Sequence, residues 1–247
     1  DHFEQGDLTG TKLFGVGFPF NLNCGLANMA KPRLGLKWVD AVSLSRPGLR
    51  KVRNWGSWQL QEERFALFCE MIIPQWGRVL LVNTHLHHGL ESTPEFLANV
   101  EELGEKLEFA PALMSELKER IAQGNRRRVS EFNELLHNVN RLHRRYEAIV
   151  IAGDFNASSE NEVFQKLREI GFRDAWAEAH PAEEGLSFDA KNNAANHKLQ
   201  AFFPLTLMVE DLSFAPKTKE NLLELVRAHE SRPRRIDYIW FRSLNLN

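Results

Sequence analysis

The segment that most constrains this chain is Ala148-Ile-Val-Ile-Ala152, followed without a break by Gly153-Asp-Phe-Asn156. The apolar run is too short for a helix and offers no polar side to water, so it must be a strand covered on both faces. Such a strand lies inside a sheet and needs a layer on either side of it. After the polar turn, Ser159-Glu-Asn-Glu162 has the S-x-x-E form of a capping box. Val163, Leu167 and Ile170 then recur at helical spacing, and Gly171 stands where a helix C-cap favours glycine. Strand, polar turn and capped helix form the best-defined local unit of the sequence.

Around this unit the chain mixes strands with a few helices. Residues 1–40 carry no clear period and read as irregular. Asp40–Ser45 reads as a short strand closed by Arg46-Pro-Gly48, and Arg64–Ile73 and Arg78–Leu86 as a hairpin about Pro74-Gln-Trp-Gly77. Phe96, Val100, Leu103, Leu107 and Ala110 form the stripe of an amphipathic helix that Pro111 should break or kink. A second helical stripe runs through Val129, Phe132, Leu136, Val139, Leu142 and Tyr146. Further on, Phe172–Trp176 reads as a short strand, residues 177–218 as a polar loop region, Glu220–His229 as a helix and Arg235–Phe241 as a strand. Strands joined largely by hairpins favour a layered α/β sandwich over a doubly wound parallel sheet. We therefore expect one domain over residues 1–247, incomplete at both termini, with a helical insertion at about 91–125.

Composition excludes several classes. With 43% hydrophobic residues the chain can build a core, which rules out a disordered or fibrous protein. Two cysteines, Cys24 and Cys69, cannot make a disulfide framework, and no apolar run reaches bilayer-spanning length. A formal net charge of −2 is not that of a protein living on nucleic acid, so any phosphate contact must be local. The chain opens Asp1-His-Phe-Glu4 without an initiator Met, a basic n-region or an apolar h-region. The expectation is that a leader has been removed or that this is part of a longer chain.

Polar groups gather at the ends of the best strands, in Asn83-Thr-His-Leu-His-His88, Gly153-Asp-Phe-Asn156 and Arg235-Ile-Asp-Tyr238. Strand ends fix such groups while loops expose them, which is how sheet proteins commonly build sites. A phosphodiester repels nucleophiles through its anionic oxygens, so a site for it needs donors or positive charge and a polarised water. Mg²⁺ accepts few carboxylates plus waters, and a histidine braced by a carboxylate keeps a fixed tautomer or stays cationic.

Taken in order, Val42-Ser-Leu-Ser-Arg46, Leu80-Leu-Val-Asn-Thr-His-Leu86, Ile149-Val-Ile-Ala-Gly-Asp-Phe-Asn156 and Arg235-Ile-Asp-Tyr-Ile239 resemble the endonuclease/exonuclease/phosphatase family, the deoxyribonuclease I-like phosphoesterases. The resemblance implies a four-layer α/β sandwich of two mostly antiparallel sheets flanked by helices. It also implies Mg²⁺-dependent hydrolysis of a phosphate ester, with Mn²⁺ as a substitute, by in-line attack of water without a covalent intermediate. On that resemblance Asp154 orients or deprotonates the water near the metal, Asn156 donates to the phosphate, and His85 contacts the scissile phosphate. Asp237 is similar to the acid that orients a catalytic histidine. The family also opens with an Asn-bearing strand and a Gln-Glu whose Glu binds metal, and it closes with Ser-Asp-His; this sequence shows neither. The chain as given is therefore expected to be impaired, and the alternative is a catalytically inactive binding module on the same fold.

Asn192 and Asn193, following Ser187-Phe-Asp189, are candidates to reach substrate from a loop. Six arginines (126, 127, 128, 141, 144 and 145) meet only Glu131 and Glu134, a pattern that reads first as a solvated helix face and second as a phosphate-tracking surface. The substrate expected is a small phosphoester or lipid headgroup ahead of DNA or RNA, acted on by a monomer. Thr84-His-Leu-His-His88 superficially resembles a metallo-β-lactamase-like zinc motif with His85 and His87 as ligands, but Gly89 sits near where that motif needs Asp.

Overall fold

A computed structural model describes residues 25–45, 63–88, 91–189 and 216–243, together with the backbone of three short strand segments between 2 and 20 and two between 49 and 60. The strands are β1 His2–Gln5, β2 Thr9–Leu13, β3 Val16–Phe20, β4 Gly25–Asn28, β5 Lys37–Ser43, β6 Leu49–Lys51, β7 Trp58–Leu60, β8 Phe65–Ile73, β9 Gly77–His85, β10 Ala148–Asp154, β11 Arg173–Asp174 and β12 Asp237–Ser243. The helices are α1 Pro94–Lys106, α2 Pro111–Leu142, α3 Glu162–Glu169, α4 Ala175–Ala179 and α5 Pro216–Glu230. By contact the chain divides into two compact units, one of residues 1–87, 129–183 and 237–247, the other of residues 88–128 and 184–236.

The first unit is built on a mixed six-stranded sheet of order β11-β12-β10-β9-β8-β5. Only β9 and β10 run parallel; β5–β8, β8–β9, β10–β12 and β11–β12 are antiparallel. The run Ala148–Ala152 is interior to this sheet, as its two apolar faces require, and residues 64–86 form the expected hairpin. A parallel pair needs a long crossover, which residues 86–147 supply through α1 and α2.

Strand alternation gives the sheet two faces. Ala66, Phe68, Leu80, Val82, Ile149, Ile151, Tyr238 and Trp240 share one face and pack with Phe132, Leu135, Val139 and Leu142 of α2 and with Val163, Phe164 and Leu167 of α3. Aromatic rings fill the middle of this layer: Phe155 meets Tyr238 edge-on at 5.8 Å and Phe164 stacks on Trp240 at 5.4 Å. Part of the opposite face is covered by β4. Asn28 Nδ2 donates to Cys69 Sγ (3.3 Å), and Asn83 Nδ2 donates to Asn28 Oδ1 (3.1 Å) and to the Ala27 carbonyl (3.2 Å). The fold is thus α/β, a mostly antiparallel mixed sheet flanked by helices.

The second unit has its own small core of Phe96, Val100, Leu117, Ile121, Leu222 and Val226. Phe96 stacks on His229 at 4.0 Å, and Arg232 clamps Glu95 through both guanidinium nitrogens (2.8 and 3.1 Å), which lowers the Glu95 pKa. Gly104 belongs to this packing, since a Cβ there would fall 1.9 Å from Met114 Cε.

Three readings need correction and one needs refining. Residues 1–40 are not wholly irregular: β1 pairs with β4, β2 pairs with β3, and β5 begins at Lys37. Strands of four or five residues are too short to print a period. The break expected at Pro111 is present but falls earlier: α1 ends at Lys106 and Pro111 opens α2, because a first-turn proline forfeits an N–H that has no intrahelical partner anyway. The N-cap of α3 is Asn161, whose side chain accepts from Val163 N, rather than Ser159. The arginine-rich stretch of α2 is not simply a solvated face, since Arg128 and Glu131 are buried.

Candidate active site

Strand register decides the geometry. Asp154 is the parallel partner of His85 and the antiparallel partner of Asp237. Three ionisable residues far apart in sequence therefore occupy one row across adjacent strands, at the carboxyl ends of β9 and β10. The neighbouring row, Thr84, Gly153 and Tyr238, faces the helices, so by alternation the row of His85, Asp154 and Asp237 lies on the other face. Two acids directly opposed across antiparallel strands repel each other, a placement that stability alone disfavours.

Gly153 lets the row close up. Its φ is +144°, and a Cβ there would sit 1.9 Å from the Thr84 carbonyl oxygen. Only glycine permits this approach, and it brings the next residues on both strands together: His85 Nε2 lies 3.5 Å from Asp154 Oδ2, with the two side chains 40% and 29% exposed. At that separation a protonated imidazole has charge contact with the carboxylate, and both remain open to solvent. Asp237 is exposed.

The turn after β10 is held from within. Asp154 Oδ1 accepts from Asn156 N (2.8 Å), an Asx turn that allows Asn156 its positive φ of 49°. Asn156 Nδ2 donates to the Leu86 carbonyl (2.9 Å), and Leu86 N donates to the Asp154 carbonyl (2.9 Å). One amide hydrogen of Asn156 is thereby committed to joining the two site loops, which leaves one amide hydrogen for the phosphate contact expected of it.

These motifs, in this order and on this sheet, are matched by the model of the Endonuclease/Exonuclease/phosphatase family over residues 72–247. The chain belongs to that family. The matched stretch contains His85, Asp154, Asn156 and Asp237; Val42–Arg46 precedes it. Similar solved structures include an endonuclease/exonuclease/phosphatase family protein from Bacteroides thetaiotaomicron (14% identity over 96% of this chain and 60% of that one, TM-score 0.43). Truncated Caenorhabditis elegans TDP2 (14%, 84% and 61%, TM-score 0.37) and the human Nocturnin catalytic domain (12%, 83% and 48%, TM-score 0.34) are also similar. The chain thus spans roughly half to three-fifths of the length of these family structures. No curated protein sequence matches it.

Within this family member, the register brings His85, Asp154 and Asp237 together, and Asn156 joins them through the turn. Asn192 and Asn193 lie outside the described residues. The approach to them is defined as far as Asp189: Phe188 bridges Arg234, and Ser187 Oγ accepts from Ile236 N (3.0 Å). Two residues near the row escaped the sequence reading. Asn83, inside the quoted histidine motif but given no role there, ties β9 to β4, and Glu131, counted there only as a charge set against the arginines, is buried and reaches the His87 amide (2.7 Å).

A divalent ion of the Mg²⁺ type takes hard oxygen donors, often only one or two protein carboxylates. Asp154, partly exposed and with Asp237 beside it in register, fits that modest demand. Among the described residues no cluster of three or more His, Cys, Asp or Glu could hold a metal alone, and no helix is long and apolar enough to cross a membrane.

Proposed function

We propose that this chain carries the reacting centre of a divalent-metal-dependent phosphoester hydrolase in which water attacks phosphorus directly. The reading rests on one observation, the single row of His85, Asp154 and Asp237 across β9, β10 and β12. In it Asp154 orients the attacking water and accepts its proton, the ordinary work of a carboxylate held in a fixed turn. Protonated, His85 donates to a non-bridging phosphate oxygen and stabilises the charge that builds there. Asn156 supplies its remaining amide hydrogen to the same group. Asp237 keeps negative potential beside the pair and favours the charged imidazole. Asp154, with Asp237 as its neighbour, would hold the ion, which when bound neutralises phosphate charge and sharpens the acidity of water.

The substrate we propose is a small phosphoester or a phosphorylated headgroup. Three of the six arginines that could track a polyanion are engaged elsewhere: Arg126 pairs with Glu119, Arg141 Nη2 lies 2.7 Å from Asp40 Oδ2, and Arg128 is buried. Hydrolysis of bis(p-nitrophenyl) phosphate and of plasmid DNA in Mg²⁺, at two salt concentrations, tests the whole reading. Expected of the intact protein are turnover of the small ester with weak salt dependence, and a loss of about 10²–10⁴-fold in Asp154→Ala with the fold unchanged. Full activity in that variant overturns the assignment, and strongly salt-dependent cleavage of DNA overturns the substrate class.

A further inference from the structure

We propose that Glu131, on α2, is the positioning residue that sets His85 against Asp154; this rests on the hydrolase reading above. Glu131 is only 1% exposed. Burying a carboxylate is costly unless it is hydrogen-bonded and electrostatically compensated. One of its oxygens accepts from His87 N at 2.7 Å, the length of a strong charge-assisted bond.

That amide lies two residues beyond His85, where β9 has ended and the sheet no longer holds the chain. The segment is pinned there at three successive polar groups. Leu86 N donates to the Asp154 carbonyl (2.9 Å), the Leu86 carbonyl accepts from Asn156 Nδ2 (2.9 Å), and His87 N donates to Glu131. The first two bonds come from the β10 turn and tie Leu86, the residue after His85, to Asp154 and Asn156. The third comes from the helix layer and fixes the direction in which the chain leaves the strand. With the third bond gone, only the two β10-turn bonds hold the segment, so the Leu86–His87 peptide can tilt about them and passes a small displacement back to His85. A catalytic group displaced by a fraction of an ångström loses transition-state contact while substrate still binds.

The test compares Glu131→Ala, Glu131→Gln and Glu131→Asp in the intact protein. Gln keeps an acceptor at the same reach and is expected to retain most of the wild-type rate. Ala and Asp, the latter charged but one methylene short, are expected to lose kcat by about 10–100-fold with KM within about twofold. Two further readouts need no turnover: the imidazole NMR signals of His85 shift, and exchange of the His87 amide hydrogen accelerates, in Ala and Asp but not in Gln. If Ala does not fold, Asp carries the test. Unmoved His85 signals and slow His87 exchange in a folded Ala or Asp variant overturn the proposal. A wild-type protein without phosphoesterase activity overturns the hydrolase reading instead, and the two NMR readouts still decide the positioning of His85.

Discussion

At one end of the six-stranded sheet β8 turns into β9 through Pro74-Gln-Trp-Gly77; at the other, β9 and β10 finish beside the start of β12 with His85, Asp154 and Asp237 in one row. Both ends need a glycine with positive φ and both carry charge, yet they are built differently. At the turn, charges are matched locally in an exposed setting: Arg78 Nη2 meets Glu70 Oε2 at 2.7 Å, and Glu147 Oε2 accepts from Arg78 N at 2.7 Å. At the row end, backbone and amide bonds close the loops, and two carboxylates stand on paired residues with an imidazole beside them. A protein selected only for stability would finish its sheet the first way at both ends. The difference is what the proposed site calls for.

The two glycines give the sharpest way to break this comparison. A Cβ at Gly77 would meet only the flexible Glu147 side chain, at 3.2 Å, whereas one at Gly153 would strike the Thr84 backbone at 1.9 Å. Gly153→Ala should cost about 3 kcal/mol or more, from strain and from forcing β9 and β10 apart. Gly77→Ala should cost about 1 kcal/mol, the penalty of positive φ alone. Urea unfolding measures both, and equal costs would show that the strands do not need their close approach. Gly153→Ala should also lose more activity than its stability loss explains, because His85 and Asp154 flank the displaced backbone.

Asn156 offers an intermediate effect. Asn156→Ala removes the bond to the Leu86 carbonyl and leaves at φ 49° a residue that tolerates the left-handed region less well than Asn, for an expected loss of about 2 kcal/mol. Asn156→Gly removes the same bond but relieves the strain, so it should fall by about 1 kcal/mol. A Gly variant less stable than the Ala variant would mean that the turn, not the amide, carries the energy.

How much of this was legible in the sequence follows from the range of each interaction. β10 was legible because two apolar faces in five residues admit one interpretation, and the hairpin because Pro74 and Gly77 punctuate it. The N-cap of α3 was blurred because the S-x-x-E box pointed to Ser159 while Asn161, two residues on, is also a good cap and accepts from Val163 N. The break near Pro111 was legible, but not that Pro111 opens the next helix, since proline breaks a helix interior yet suits a first turn. The candidate residues were legible as types at strand ends, but the register that puts His85, Asp154 and Asp237 in one row was not, since it is set by pairings across the whole chain. Glu131 was hidden for the same reason: its partner is the amide of His87, and helical periodicity says nothing about a loop more than forty residues away.

The smallest effect completes the comparison. Arg78→Ala deletes the Glu70 ion pair and the guanidinium resting 5.4 Å from the Tyr146 ring. The Glu147 bond at this position uses the backbone N–H of residue 78 and survives the substitution. Arg78 is largely exposed, and an ion pair between solvated side chains gains little because water and salt screen it and ordering two long chains costs entropy. The melting temperature of Arg78→Ala should therefore be hard to distinguish from wild type, and turnover should be unchanged because the residue sits at the far end of β9 from His85. A clear loss of turnover in this variant would show that the two ends of the sheet are coupled through the length of the strand, and the site could then no longer be treated as local to the row.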